Sequence, residues 1–220
     1  MLNKKAQVPE LGTVLIVAVL IVIVVITYTW GKALFDAQKT RTTADYMSGK
    51  LFEIERAVLA VSHEGLNSTR VVNLDISEGT LILNNGSLFC SNRAMNANNI
   101  VYNITTKSRL IESDNYTNID PFESNASCDA PFENSSIALM MGKSEKAGNS
   151  YVNSYALWFR NLTQKNGAVA GVPKDNFYFI NITTPDAKHA GEGTHTLVIT
   201  NIGTQNNSYT IETKVAIDII

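Results

Sequence analysis

The sequence predicts an α+β protein: a long N-terminal helix, with an apolar transmembrane first half and an amphipathic second half, followed by an antiparallel β-sandwich or barrel head domain. Three observations predict it. The 21 residues between Glu10 and Lys32 carry no charge. Apolar residues then recur at helical spacing as far as Val61. From Arg70 onward the texture changes to short runs of strand-forming residues separated by turn residues.

The uncharged run has as its core Leu11-Gly12-Thr13-Val14-Leu15-Ile16-Val17-Ala18-Val19-Leu20-Ile21-Val22-Ile23-Val24-Val25-Ile26. At 1.5 Å per residue, a helix over residues 11–30 crosses the roughly 30 Å hydrocarbon layer of a membrane. Valine and isoleucine are poor formers of isolated helices, but a bilayer leaves the backbone no other way to satisfy its polar groups. Tyr28 and Trp30 end the run as interfacial aromatics do. Lys4 and Lys5 precede it on a short leader, which places the N-terminus in the cytoplasm and the C-terminus outside. A secretory signal cleaved after the run would need a small-x-small site there. The polar stretch opens instead with Trp30-Gly31-Lys32, so retention of the helix is expected.

Beyond Lys32 the helical period continues. Met47, Leu51, Ile54, Val58 and Val61 fall at intervals of four, three, four and three, which is one stripe on a helix, while Glu53 and Arg56 lie off it. No proline intervenes between Pro9 and Pro121, and Gly65 is a plausible stop. Gly31 and Gly49 are weak points, each costing about 1 kcal/mol against alanine. A helix from Pro9 to His63 would be roughly 80 Å long. A plain anchor followed by a separate amphipathic helix is the competing arrangement.

The junction ahead of the apolar run is Lys4-Lys5-Ala6-Gln7-Val8: a basic pair, a small residue, then a polar and an apolar one. This resembles the class III signal peptide of archaeal type IV pilins and archaellins, over roughly Lys4 to Val61. The resemblance implies cleavage by a prepilin peptidase between Ala6 and Gln7, recognised through Lys4 and Lys5, with Gln7 as the mature N-terminus. It divides the chain into a leader at 1–6, a long helix at 7–64 and an external β-rich domain at 65–220. Bacterial pilins carry a glutamate at the fifth mature position, whereas Glu10 here is fourth, after Pro9; archaeal members are looser there. Pro9 suits the first turn of a helix, and Glu10 beside it interacts favourably with the helix N-terminus. Pairing of Glu10 with a neighbouring subunit's terminal amine in assembly is the functional alternative.

In the head, strands are expected at Arg70–Ile76, Thr80–Leu83, Ile100–Ile104, Ser136–Met141, Tyr155–Asn161, Phe177–Thr183, His195–Asn201 and Tyr209–Ile217. Asn84-Asn85-Gly86-Ser87 and Asn166-Gly167 read as turns, and residues 112–135 as a loop. Trp158 is expected in the core. Asn-x-Ser/Thr acceptors occur at Asn67, Asn85, Asn103, Asn115, Asn125, Asn134, Asn161, Asn181 and Asn206, nine where independent placement gives roughly four, and all follow the helix. N-linked glycans are therefore expected. Asparagine, 23 residues in all, outnumbers every charged type and suggests an uncharged, hydrated surface. Cys90 and Cys128 fit one disulfide in an oxidising compartment, worth roughly 3–4 kcal/mol. Two unrelated buried thiols are the alternative, and no CxxC motif points to zinc or redox chemistry.

Catalytic signatures are missing. The three histidines, His63, His189 and His195, show no HExxH or carboxylate at ligand spacing, and no GxSxG, P-loop or GxGxxG is present. Asp114, Asp120, Glu123 and Asp129 share one stretch without the spacing of a calcium loop and read as a solvated acidic loop. A formal net charge of −2 with no basic stripe gives no support for a nucleic-acid partner. The expectation is a structural protein without enzyme activity or cofactor: a subunit of an archaeal type IV pilus-like filament that starts in the membrane, meets the pilus assembly machinery and polymerises into a helical homo-oligomer at the cell surface, in adhesion, motility or cell contact. The alternative is a single-span, membrane-anchored external binding module that does not polymerise. A surface hydrolase ranks third, for want of a nucleophile and base.

Overall fold

The computed structural model describes the backbone of residues 7–83, 86, 89–90, 93–94, 98–121, 138–160, 162–169, 172–184, 189–207 and 210–220, and the side chains of these except 7–11, 33, 89–90, 93–94, 162–169, 172–177 and 207. One helix, α1 (Gln7–Glu64), opens the chain. After it come β1 (Thr69–Ile76), β2 (Thr80–Leu83), β3 (Phe89–Cys90), β4 (Arg93–Ala94), β5 (Asn99–Thr106), β6 (Thr117–Asn118) and β7 (Ala138–Ala147). Next are β8 (Ser150–Phe159), β9 (Leu162–Val169), β10 (Val172–Thr183), β11 (His189–Ala190), β12 (Gly193–Asn207) and β13 (Thr210–Ile219). The α+β expectation holds: a long apolar helix precedes mostly antiparallel sheets. By its internal contacts the chain divides into Met1–Thr42 and Thr43–Ile220, so α1 runs through both units.

The second unit contains two sheets and a short β3–β4 ribbon. One sheet runs β1-β12-β13-β10-β9, the other β11-β2-β5-β8-β7-β6, and neither closes on itself among the described residues. Every recorded pairing is antiparallel except β10 with β13, which are parallel from Phe177 opposite Thr210 to Thr183 opposite Ala216. Between those two strands the chain contributes β11 to the other sheet and then β12, so β10 and β13 are not hairpin partners.

A single apolar cluster joins both sheets to the helix. From α1 come Ala44, Met47, Leu51, Ile54, Val58 and Val61, each at most 2% exposed, so the stripe expected from spacing is the buried face. Against it lie Val72, Leu74, Leu197, Ile199, Val215 and Ile217 of the first sheet, and Leu81, Ile100, Tyr102, Met140 and Leu157 of the second. Glu53 and Arg56 are exposed, as expected. The second sheet is apolar on both sides. Val101, Leu139, Met141, Ala156 and Trp158 form another buried cluster with Tyr116, which places Trp158 inside as predicted. Burial pushes the phenols of Tyr102 and Tyr116 up from their ordinary value, and Tyr102 Oη donates to the Glu78 carbonyl at 2.5 Å.

The helix ends where the sequence suggested. Gly65 takes φ 96, the left-handed conformation that glycine adopts without strain. The last turn's orphan carbonyls then find side-chain donors: the Val61 carbonyl accepts from Asn201 Nδ2 at 2.9 Å and from Ser68 Oγ at 2.9 Å. Asn201 Oδ1 in turn accepts from the Gly203 N–H at 2.9 Å, at the β12 irregularity between Asn201 and Gly203. Asn201 is fully buried. Asn201→Ala leaves the Gly203 N–H without its acceptor and the helix end half-capped, so a loss of about 1–3 kcal/mol is expected from denaturant titration of the head. A loss under a few tenths of a kcal/mol would refute that role.

Asparagine is thus not only a surface residue. Asn98, Asn99, Asn153 and Asn201 are at most 9% exposed, four exceptions to the reading of this residue type as outer hydration. Asn98 links the two sheets, donating from Nδ2 to the Phe159 carbonyl at 3.1 Å and to the Ile180 carbonyl, and accepting at Oδ1 from the Ile182 N–H at 2.8 Å. Asn153 pins the chain after β5. Its Oδ1 accepts from Ser144 Oγ at 2.5 Å and from the Leu110 N–H at 3.0 Å, while Nδ2 donates to Thr106 Oγ1 at 2.8 Å. Buried amides survive because each of these groups is paired.

Other expectations need correction. Asn166-Gly167 is not a turn: both residues lie in β9, with Asn166 opposite Lys174. Strand β9 itself was not expected, nor were the two-residue strands. Of the acidic stretch, Asp114 is exposed and pairs with Arg109 at 3.0 Å, but Asp120 is buried at 6% exposure. The reason is local: the Ile119 N–H donates to the Met140 carbonyl at 3.0 Å and the Asp120 N–H to Asn118 Oδ1 at 2.8 Å, drawing the segment onto β7. Glu123 and Asp129 lie outside the described residues, as do Asn84, Asn85 and Ser87 of the other expected turn.

Candidate functional site: the exposed apolar helix

The sequence feature with the most unusual surface is the first part of α1. Val14 to Ile26 includes twelve large apolar residues whose exposure runs from 48% to 68%. None of these twelve side chains is buried. A soluble monomer does not leave such a surface to water, because removing apolar area from water is the main favourable term in folding and association. Among the described residues this is the one helix long and apolar enough to span a membrane, judged by length and composition.

Polar groups within it are handled internally. Thr27 Oγ1 donates to the Ile23 carbonyl at 2.8 Å, and Thr29 Oγ1 to the Val25 and Ile26 carbonyls at 3.0 and 2.9 Å. These bonds let hydroxyls face an apolar phase without an unsatisfied donor. Tyr28 and Trp30 follow at 69% and 73% exposure, and Leu34 and Phe35 extend the apolar surface past Lys32. Gly12, Gly31 and Gly49 leave open space around their α-carbons, and the helix continues through all three.

Lys4, Lys5 and Ala6 lie outside the described residues; Gln7 opens α1 and Glu10 sits in its first turn, their side chains also outside. Of the sequons, Asn67, Asn115 and Asn206 are exposed, and Asn103 and Asn181 are half-buried. Asn85, Asn125, Asn134 and Asn161 lie outside the described residues. So do Cys128 and the Cys90 side chain, and with them the expected disulfide. His63 occupies the last turn of α1, His189 begins β11, and His195 Nε2 hydrogen-bonds the Gly191 carbonyl at 2.9 Å. Among the described residues, no group of three or more His, Cys, Asp or Glu is placed to hold a metal.

A second feature escaped sequence reading. A cavity of about 630 Å³ opens between the end of α1 (Leu59, Ser62, His63) and the first sheet (Tyr178, Ile180, Ile211, Thr213). Its walls come from segments more than a hundred residues apart, so no local pattern announces it. The mixture of apolar walls with a few hydroxyls and one imidazole suits a small, mostly apolar guest. No protein-family model, no curated protein and no solved structure matches the chain.

Proposed function

We propose that the chain is a structural subunit of an archaeal type IV pilus-like surface filament, made as a membrane precursor with its N-terminus in the cytoplasm and its head outside. The observation that carries this reading is one helix with two surfaces. Its first part is apolar and uncovered on every side, whereas Ala44 to Val61 present one stripe buried in the head. A single-span anchor needs the first property alone. A filament subunit needs both, because its helix must serve a bundle at one end and a globular head at the other.

On this reading the two sheets form a sandwich-like head that carries N-linked glycans, and the leader at 1–6 is removed before assembly. Lys4 and Lys5 hold the precursor in its orientation; left in place, they would carry charge into an apolar bundle. Cleavage after Ala6 removes them. Ala6→Leu is expected to leave precursor-sized protein in the membrane and no filaments, read by N-terminal sequencing and negative-stain imaging. Normal mature-size protein starting at Gln7 in that variant would refute the processing step.

The second reading, a membrane-anchored binding module that never polymerises, is favoured by the cavity between α1 and the first sheet. Imaging separates the two. Filaments built of this chain support the first, and a processed but monomeric membrane protein supports the second.

A further inference from the structure

The described sequons are not chemically equivalent. Asn103 lies inside β5, opposite Thr80 of β2 and Ser154 of β8, with ladders on both sides. Asn181 lies inside β10, where its Nδ2 donates to Glu212 Oε1 at 2.7 Å and the hydroxyl of Thr183 points to the Val215 carbonyl at 3.4 Å. A transferase needs the asparagine amide nitrogen free and the hydroxyl two residues later brought close to it. In a strand, positions two apart stand about 6.5 Å from each other. Turns bring them nearer.

Asn67 has the opposite setting. It follows Gly65 and Leu66 at the end of α1, is exposed, and has φ 66, the only non-glycine residue with positive φ among those described. Its N–H donates to the Asn201 carbonyl at 2.8 Å, which ties the turn to β12. The third sequon residue, Thr69, is exposed on β1, its hydroxyl 3.1 Å from Thr200 Oγ1 and 3.4 Å from the Asn67 carbonyl. Beside this turn stand two apolar side chains that remain exposed, Leu66 at 66% and Ile202 at 47%. Leu66 leans on β12, its Cδ1 4.0 Å from the point where a side chain on Gly203 would begin.

We infer that Asn67 is a glycan-bearing site whose sugar covers Leu66 and Ile202, and that Asn103 and Asn181 stay unmodified. The inference rests on reading the head as an external glycoprotein, and it requires transfer onto the folded head. In the transfer step Asn67 Nδ2 bonds to the anomeric carbon of a polyprenyl-phosphate-linked oligosaccharide. The bond from that carbon to the lipid phosphate breaks, and one amide proton passes to the transferase. The carbon-bound hydrogens on a pyranose face then shield apolar side chains that water would otherwise surround.

Site-resolved mass spectrometry of protein from its native host tests this, together with Asn67→Gly, which removes the acceptor while keeping a residue at ease with φ 66. Expected results are a glycan on Asn67 in most molecules, bare peptides at Asn103 and Asn181, and greater binding of an apolar dye by Asn67→Gly with an unchanged circular dichroism spectrum. A bare Asn67 beside glycans at other sequons overturns the inference, as does sugar on Asn103 or Asn181. Unchanged dye binding after loss of the Asn67 glycan overturns the covering role. Nine bare sequons overturn the glycoprotein reading itself.

Discussion

Leu51→Ala is expected to lower the stability of the head by about 2–5 kcal/mol, the range for truncating a fully buried leucine. Leu51 is 0% exposed, at the middle of the α1 stripe, and belongs to the apolar cluster that includes residues of both sheets. The hole it leaves has rigid walls, because strands on two sides and a helix on the third cannot all close inward. For a unit of this size, each kcal/mol moves the melting temperature by roughly 2–4 °C, so a fall of about 4–20 °C is expected. The measurement is thermal unfolding of a chain beginning at Thr43, where the second unit starts. Leu51→Asp in the same chain is expected to abolish folding, since a carboxylate buried in this apolar cluster loses its hydration. A fall below 2 °C for Leu51→Ala would mean that the stripe does not bear on the sheets as described.

The second large effect concerns the other end of α1. Replacing both Val17 and Ile21 with arginine is expected to release the chain from membranes and prevent filaments. The thirteen Leu, Ile and Val residues between Leu11 and Ile26 contribute roughly 4–8 kcal/mol to insertion on a translocon-based scale, and each arginine near the centre opposes it by about 2.5–3.5 kcal/mol. Two arginines therefore cancel most or all of the driving force. In the proposed filament the result would be the same for a different reason, because charges facing an apolar bundle would have no partner. The head should fold normally, since Val17 and Ile21 belong to the first unit. Wild-type membrane retention, measured by sedimentation with the head's circular dichroism as control, would refute the role assigned to the apolar half.

The elements legible in the sequence were those whose periodicity is decided by one apolar face. The α1 stripe was readable because Met47, Leu51, Ile54, Val58 and Val61 leave no other helical face apolar. Thr80–Leu83 was placed at its observed limits, and β12 and β13 were found though shorter than they are. Polar strand ends were not readable. Lys143 to Ala147 continue β7 because Ser144 is buried against Asn153, a pairing between side chains nine residues apart across a hairpin. Strand β9 was missed because Asn166-Gly167 carries the local signature of a turn while the ladder to β10 overrides it. The same limit hid the cavity and the Asn98 and Asn201 bridges, which depend on which strands become neighbours.

The junction of α1 with the head has a mechanical consequence. Tension applied along α1 enters the head through six stripe residues spread over about 25 Å of helix, and they resist sliding together rather than in turn. At the far end the load reaches the Val61 carbonyl and its Asn201 clasp, then β1, which is paired with β12 over eight residues from Thr69 to Ile76. Strands pulled lengthwise break their rungs in parallel. The head is therefore built to yield late under traction, and force spectroscopy should record one high rupture event, with Asn201→Ala lowering it.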